Sequence, residues 1–307
     1  MIKGLVGAAL LFLVACVCAI AYVPPGYANG ADSAQQGVAL AQTDDRSART
    51  GFSLHGVFRQ GGLVHGQAPA GTRRLQLGDT EIPMTETGRF LIGFGRDHGP
   101  SARLVAFLEN GETVSENLTI AATNWPVQHV NVARRGGYSS AAFQRRRAPE
   151  LAQIVAAREI QSDTNGWQQE FLWPVTGRIS GVFGSQRIYR GEPGSYHSGV
   201  DIARPTGTRV VSPADGVVVL ATETPFTLEG HLLIIDHGMG LNSAFLHLSR
   251  IDVEEGDRVE RGQNIAAIGS TGRSTGPHLH WGMKWGTERI DPQFLVGPMP
   301  RSGAGNR

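Results

Sequence analysis

The residues best suited to chemistry in this sequence are two histidines, His278 and His280, in the stretch GSTGRSTGPHLHWGM (269–283). Only Leu279 separates them, and residues two apart in an extended strand project from the same face. Two neutral imidazoles on one face suit a divalent metal ion, or a metal ion beside a proton-transfer group. The alternative is a pair of hydrogen-bonded or surface histidines, and the spacing alone does not decide between them.

Further candidate ligands lie upstream. The stretch HSGVD places His197 and Asp201 four residues apart, and Gly199 followed by β-branched residues favours a loop that runs into a strand. Imidazoles and one carboxylate form a ligand set that Zn²⁺ accepts, with the fourth position open to water in a catalytic site. Another histidine, His247 in AFLHLS, follows Phe245 at strand spacing.

The N-terminal segment MIKGLVGAALLFLVACVCAIAYVPPGYANGADS has the pattern of a targeting element, because one lysine precedes an apolar run from Leu5 to Val23. The run is also long enough to span a bilayer. We interpret residues 1–28 as a signal peptide or membrane anchor, with lipidation of Cys16 as an alternative, and expect export to the periplasm or cell envelope. Both cysteines lie in this run, so an exported metal site must use His, Asp or Glu.

Composition narrows the class of protein. The chain of 307 residues has room for two domains, and its 41 glycines indicate many turns and therefore a β-rich protein. A formal net charge of +1 without a basic stripe gives no support for a nucleic-acid partner. Neither charge nor composition indicates an oligomeric state.

The pattern along the chain predicts an all-β protein in which short strands and turns hold these side chains. A small N-terminal antiparallel β module, sandwich-like and without catalytic residues, is followed by a short helical linker and a C-terminal β-rich domain. The predicted segments after the N-terminal targeting element are a flexible tether at 29–50, the β module at 51–133, a linker at 134–170 with a helix around Glu150 to Ile160, the C-terminal domain at 171–297 and a flexible tail at 298–307.

Three consecutive arginines in the linker, Arg145, Arg146 and Arg147, could meet an anionic surface, but we interpret them as a solvated face of the linker. In the C-terminal domain His231 and His237 each neighbour a glycine, and we interpret both as turn or core residues.

Several separated motifs over about residues 172–294 resemble those of the lysostaphin-type (LytM-like) zinc metallopeptidases. They are HSGVDIARPTGTRVVSPADGVVV, AFLHLS, GDRVERGQNIAAIGSTGRSTGPHLHWGM and IDP. The resemblance implies a lysostaphin-type peptidase domain and gives the five candidate residues two roles: His197, Asp201 and His280 as Zn²⁺ ligands, and His247 and His278 as assisting catalytic residues.

The same resemblance implies an exported zinc endopeptidase that cuts cross-linking peptides of peptidoglycan, with peptide stems as its partner and a membrane tether as an option. The alternative is a catalytically silent scaffold or activator that binds peptidoglycan or a wall hydrolase. The complete ligand set favours the enzyme. One position departs from the family: Phe245 stands where members usually have Tyr, so an oxyanion contact from a phenol at that position is not expected.

Overall fold

The structure is a computed structural model that describes residues 46–47, 51–133 and 140–300. The predicted targeting segment with Cys16, almost all of the predicted tether and the end of the predicted tail lie outside the described residues. Within the described ranges strands dominate and there is one α-helix, which confirms the predicted β class with a short helical linker. No helix in these ranges is long and apolar enough to cross a bilayer.

The N-terminal module has two antiparallel sheets. Its strands are β1 (Arg46–Ser47), β2 (Ser53–Gly56), β3 (Leu63–Gln67), β4 (Thr72–Leu77), β5 (Thr80–Ile82), β6 (Arg89–Gly93), β7 (Ser101–Leu108) and β8 (Thr113–Thr119). The first sheet has the order β1-β2-β3-β6 and the second has the order β5-β4-β7-β8. Phe90 of the first sheet and Leu104 of the second are fully buried in one shared core.

The rest of the chain contains the helix and the strands that carry the candidate site. They are β9 (Val127–Val130), α1 (Ala141–Glu159), β10 (Arg178–Gly181), β11 (Gln186–Tyr189), β12 (Glu192–Pro193), β13 (Val200–Ala203), β14 (Arg209–Val211), β15 (Gly216–Ala221), β16 (His231–Asp236), β17 (Leu241–Ile251), β18 (Arg258–Val259), β19 (Asn264–Ile268), β20 (His278–Trp285) and β21 (Glu288–Ile290). Two short 3₁₀ helices lie at Gly166–Gln168 and Pro292–Phe294.

One large antiparallel sheet has the order β10-β13-β20-β17-β16-β15-β18, with β14, β19 and β21 paired beside this path. A small sheet joins β12, β11 and β9, and its β9–β11 pair is parallel. That pair links the strand that leaves the N-terminal module to the C-terminal domain.

The large sheet has two distinct faces, and β20 shows them by its alternation. Leu279, Trp281 and Met283 point into the core that the sheet shares with the N-terminal module, and we call this side the core face. His278 and His280 point to the other side, which we call the site face. The two-residue spacing of the histidines thus puts both on one face, as predicted.

Helix α1 begins earlier than the sequence predicted. It starts at Ala141 rather than near Glu150, because the Ser140 side chain accepts a hydrogen bond from the backbone N–H of Phe143 at 3.1 Å. Such a cap satisfies one of the N–H groups that a helix start leaves without a partner. Pro149 lies inside the helix, whose C-terminal half packs on the site face.

The interpretation of the arginine cluster as a solvated face is wrong for one of its members. Arg145 and Arg146 are exposed, but Arg147 is only 4% exposed. Its guanidinium donates to both carboxylate oxygens of Glu229 at 2.6 Å and to Glu150 at 2.9 Å. The buried charge is therefore paired across 82 residues of sequence, which local patterning cannot show.

Candidate metal centre

The candidate ligands come together where β13 and β20 pair. Asp201 of β13 lies directly opposite His280 of β20, so the two side chains project side by side from the site face. The His280 Nδ1 atom is 2.9 Å from the Asp201 Oδ1 atom. His197, in the loop just before β13, brings its Nε2 atom to 3.0 Å from both of these atoms.

This three-residue group fits a zinc ion by donor chemistry and by size. Its ligand atoms all lie within 4.8 Å of one another, and no second group of this kind occurs in the described ranges. Tetrahedral Zn²⁺ with bonds of about 2.0–2.2 Å has neighbouring donors about 3.3–3.6 Å apart. The observed separations near 3 Å need only a small expansion to accept the ion.

A glycine makes room for this group. Gly181, at the end of β10, lies so close that an added Cβ would be 2.5 Å from Asp201 Oδ2 and 3.1 Å from His197 Cε1. Any side chain at position 181 would therefore displace the carboxylate. The sequence ISGVFG contains this glycine, but its spacing to the other motifs gives no signal of the role.

Hydrogen bonds to carbonyl oxygens orient the histidine rings. The Nδ1 atom of His197 lies 3.0 Å from the Val182 carbonyl oxygen. A carbonyl can only accept, so Nδ1 carries the proton and Nε2 is left to face Asp201. A bond from the outward ring N–H to a carbonyl oxygen is of the kind that fixes the tautomer of metal-binding histidines. Val182 is a residue that sequence reasoning missed, because the contact is made by its backbone.

The electrostatics of the group favour an ionised carboxylate. Burial raises the pKa of Asp201, but hydrogen bonds and charges from His197 and His280 outweigh burial and hold it well below its usual value. Burial lowers the pKa of His197, but the same carboxylate reverses the shift and the net pKa is raised. For His280 burial dominates and the pKa is lowered. A deprotonated carboxylate and a neutral imidazole are the forms that bind a metal ion.

The two predicted assisting histidines lie together beside the ligand group. The rings of His247 and His278 are 4.8 Å apart, and His278 Nε2 is 3.8 Å from Asp201 Oδ1. His247 donates from Nδ1 to the Thr271 carbonyl at 2.9 Å, and His278 donates from Nδ1 to the Gly276 carbonyl at 2.8 Å. Both rings therefore keep Nε2 free of these bonds.

Burial, and after it the neighbouring His280 and His278, together lower the pKa of His247 to about 3. The imidazole is therefore in its neutral form at pH 7. His247 has a backbone φ of +63°, a conformation uncommon for residues other than glycine. All five predicted site residues are thus brought to one place, while their individual roles stay predictions.

Phe245 does not belong to the site. Its side chain is fully buried in the core on the opposite face of the sheet, so it does not share a face with His247 as the strand spacing suggested. A tyrosine at this position would point its hydroxyl into the core rather than toward the metal centre. The departure from the family pattern therefore has no bearing on an oxyanion contact.

Helix α1 covers part of the site face next to the ligand group. A cavity of about 60 Å³ separates them, with Leu151 and Ile154 of the helix on one side and Leu246, His280 and Gly282 on the other. Sequence reasoning also missed this cover. The helix is weakly amphipathic and only Phe143, Arg147 and Ala157 are buried in it, so the sequence carries no clear signal of this cover.

Comparison with known proteins agrees with the observed fold. Residues 195–292 match the model of peptidase family M23. The chain is 34% identical over 230 residues to the peptidoglycan DD-endopeptidase ShyA of Vibrio cholerae, with 72% of this chain and 49% of that protein aligned. It is 28% identical over 261 residues to ShyB of the same organism, with 80% and 55% aligned.

A crystal structure of a Pseudomonas aeruginosa protein assigned to peptidase M23 superposes with a TM-score of 0.60 at 26% identity, over 78% of this chain and 95% of that one. The chain thus contains a peptidase M23 domain, homologous to those of ShyA and ShyB. It spans about half the length of these two curated relatives.

Proposed function

We propose that the protein is a zinc endopeptidase that cleaves cross-linking peptides of peptidoglycan in cell-wall remodelling. The observation that carries the proposal is the grouping of His197, Asp201 and His280 beside a second pair of histidines in a peptidase M23 domain. The names of the relatives, peptidoglycan DD-endopeptidases, support the same substrate class. The complete donor set makes a catalytically silent scaffold the weaker alternative.

His197, Asp201 and His280 would hold the ion, and the bond from His197 to the Val182 carbonyl would orient the His197 ring. Bound Zn²⁺ supplies Lewis-acid chemistry at the scissile carbonyl and makes water acidic enough to attack near neutral pH.

The remaining proton transfers fall to the chain's own imidazoles. The attacking water must lose a proton and the leaving amine must gain one, and neutral imidazoles can carry out both steps. His247 and His278 each have the Nδ1 proton held on a carbonyl, so Nε2 is available to accept and return a proton. Either ring, once protonated, can also stabilise the oxyanion that develops on the carbonyl.

We further propose that the protein acts outside the cytoplasm, in the periplasm or cell envelope, either released or tethered by its N-terminus. The apolar N-terminal run and the location of peptidoglycan support this placement. Fractionation of cells that express the full chain checks it. Recovery of the full chain in the cytoplasm would contradict the proposal.

The experiment that tests the proposed roles compares His280→Ala with His278→Ala. His280→Ala should lose Zn²⁺ and activity together, because only two protein ligands remain. His278→Ala should keep most of its Zn²⁺ and lose about 10²- to 10³-fold in rate, the typical cost of one transition-state donor. The measurements are zinc content per chain and cleavage of purified cell wall.

Asp201→Ala and His247→Ala form a second pair. Asp201→Ala should lose Zn²⁺ and activity together, whereas His247→Ala should keep most of its Zn²⁺ and lose rate. Equal zinc loss in His278→Ala and His280→Ala would make both residues ligands and contradict the assigned mechanism. A wild-type chain that binds Zn²⁺ but leaves purified wall intact would contradict the substrate class.

A further inference from the structure

The loop between β10 and β11 holds His197 at three points. The Val182 carbonyl accepts the ring N–H of His197 at 3.0 Å. The backbone N–H of Gly184 donates to the His197 carbonyl at 2.8 Å, and the backbone N–H of His197 donates to the Ser185 carbonyl at 2.8 Å. Both the ring direction and the backbone position of this candidate ligand therefore depend on where the loop lies.

A side chain of the N-terminal module holds this loop. Arg96 follows β6 and is 9% exposed, and its Nε atom donates to the Gly184 carbonyl at 2.9 Å. Its Nη2 atom donates to Gln186 Oε1 at 3.1 Å, while Nη1 pairs with Asp97 at 2.5 Å. The guanidinium carbon lies 5.0 Å from the ring centroid of Tyr196, the residue before His197. One side chain thus contacts both segments that carry or orient the ligand.

Trp125, also from the module side, fits the same loop by shape. Its indole N–H donates to the Arg96 carbonyl at 3.1 Å, and its ring lies edge-on to Phe183 at 5.4 Å. Gly184 has a φ of +76°, and a Cβ atom there would clash with the indole ring. The loop and the module are therefore in close contact, with space for glycine only.

We propose that Arg96 is a positioning residue for the metal ligand His197, acting through the loop at Gly184. Arginine suits the task because its rigid fork can donate to several acceptors at once while its plane packs on an aromatic ring. Arg96 lies outside residues 195–292, so the match to peptidase family M23 does not assign it a role. The inference rests on the proposed function only in taking His197 as a metal ligand.

The consequence is a weaker metal site when Arg96 is shortened, without a change in any ligand. Loss of an outer-shell partner typically costs 10- to 100-fold in metal affinity or activity. We expect Arg96→Ala to weaken Zn²⁺ binding at least tenfold and to lower the rate of wall cleavage at saturating Zn²⁺ less than this. Arg96→Lys, which can still donate to the Gly184 carbonyl, should fall between the wild type and Arg96→Ala.

The test uses the full chain and measures the Zn²⁺ dissociation constant by competition with a chelator, alongside thermal unfolding of the zinc-free protein. Arg103→Ala is the matched control, because Arg103 is an exposed arginine of the same module whose bond to Ser115 stays within the module. Should Arg96→Ala fail to fold, Trp125→Phe removes the indole bond to the Arg96 carbonyl and keeps an aromatic ring. It should weaken Zn²⁺ binding severalfold.

The outcomes separate this inference from the proposed function. Equal Zn²⁺ affinities in the wild type, Arg96→Ala and Trp125→Phe would overturn the positioning role and leave the proposed function intact. An equal loss of affinity in Arg103→Ala would also overturn it, since the effect would then be general to the module. A wild-type chain that binds no Zn²⁺ would overturn the proposed function and this inference together.

Discussion

Two parts of the chain that precede the C-terminal domain, the N-terminal β module and helix α1, cover opposite faces of the same large sheet. They do so in different ways. The N-terminal β module packs on the core face, where its buried residues and those of the sheet form one continuous apolar core. Helix α1 packs on the site face, where the apolar cluster is small and contains Ala157 as its buried helix residue. The module therefore shares its core with the C-terminal domain, whereas helix α1 makes only a small apolar contact with it.

The contacts explain the difference. At the core face the backbone of the module approaches closely: a Cβ atom at Gly93 would be 2.8 Å from Ile290 and 3.1 Å from Trp285. Helix α1 is instead held at its N-terminal half by polar groups. Arg147 pairs with Glu229, and Glu150 accepts from the N–H and hydroxyl of Thr227 at 2.7 and 2.6 Å. A few side chains therefore decide whether the helix stays on the site face beside the candidate metal centre.

The largest effect should come from removing the module. Without residues 51–133 the core face would expose Trp285 and Ile290, and the loss of apolar burial should abolish cooperative unfolding of the remaining chain. Removal of residues 140–163 should leave a cooperative transition. Calorimetry on the two shortened chains and the full chain is the measurement. Similar transitions in both shortened chains would contradict the claim that the module, and not helix α1, is part of the cooperative folding unit.

The next effect concerns how α1 is held. Arg147→Ala leaves the buried carboxylate of Glu229 without its cation, and breaking such a pair costs about 3–5 kcal/mol. The helix should leave the site face more often, so α1 should become sensitive to proteolysis and wall cleavage should become faster. Arg146→Ala, at an exposed position, is the control. Slower cleavage in Arg147→Ala with a still-bound helix would mean that the ion pair supports the site rather than covering it.

A third effect tests whether water is excluded from the core face, and the titration of His237 reports on it. This ring is fully buried, and burial lowers its pKa to about 4 from 6.5. As pH falls, His237 in the unfolded chain therefore takes up a proton before His237 in the folded protein does. The free energy of unfolding is unaffected by the titration of this residue above pH 6.5 and decreases as pH falls from 6.5 toward 4. The expected loss between pH 7 and pH 4 is about 3 kcal/mol.

Denaturant unfolding of zinc-free protein at both pH values measures this loss. His237→Gln should show a smaller fall in stability between them than the wild type does, whereas His129→Gln, at an exposed position, should match the wild type. Equal pH dependence in all three proteins would show that water reaches the His237 ring on the core face.

The smallest effect is expected at the start of α1. Ser140→Ala removes the cap on the Phe143 N–H, a loss of about 1 kcal/mol that should loosen only the first turn. Hydrogen exchange along α1 is the measurement, and Ser140→Asp should restore protection because aspartate caps as well. Unchanged exchange in Ser140→Ala would contradict the role of the cap and leave the contacts of Arg147 as the groups that hold the start of the helix.

The sequence identified five candidate residues that the structure places in one cluster, while their roles stay predictions. It did not predict the surroundings of this cluster, for a physical reason. His278 and His280 share a face because strand alternation is local. Residue type and spacing also singled out His197, Asp201 and His247, and the resemblance assigned their roles. The pairing of Arg147 with Glu229 and the bond from Arg96 to Gly184 join residues 82 and 88 positions apart. Local periodicity has no access to such contacts, so the buried arginine was expected to be solvated.

The left-handed backbone at His247 interrupts the alternation of side chains between the two faces of β17. Phe245 and Leu248 point into the core, while Leu246 packs on the other side of the sheet and His247 lies beside His278 there. Two consecutive residues thus share one side, which a regular strand forbids. A left-handed residue other than glycine costs roughly 1–2 kcal/mol. The chain therefore gives up some stability at His247 to bring an imidazole to the candidate metal centre, at a place where the pairing of β17 with β16 and β19 shifts register.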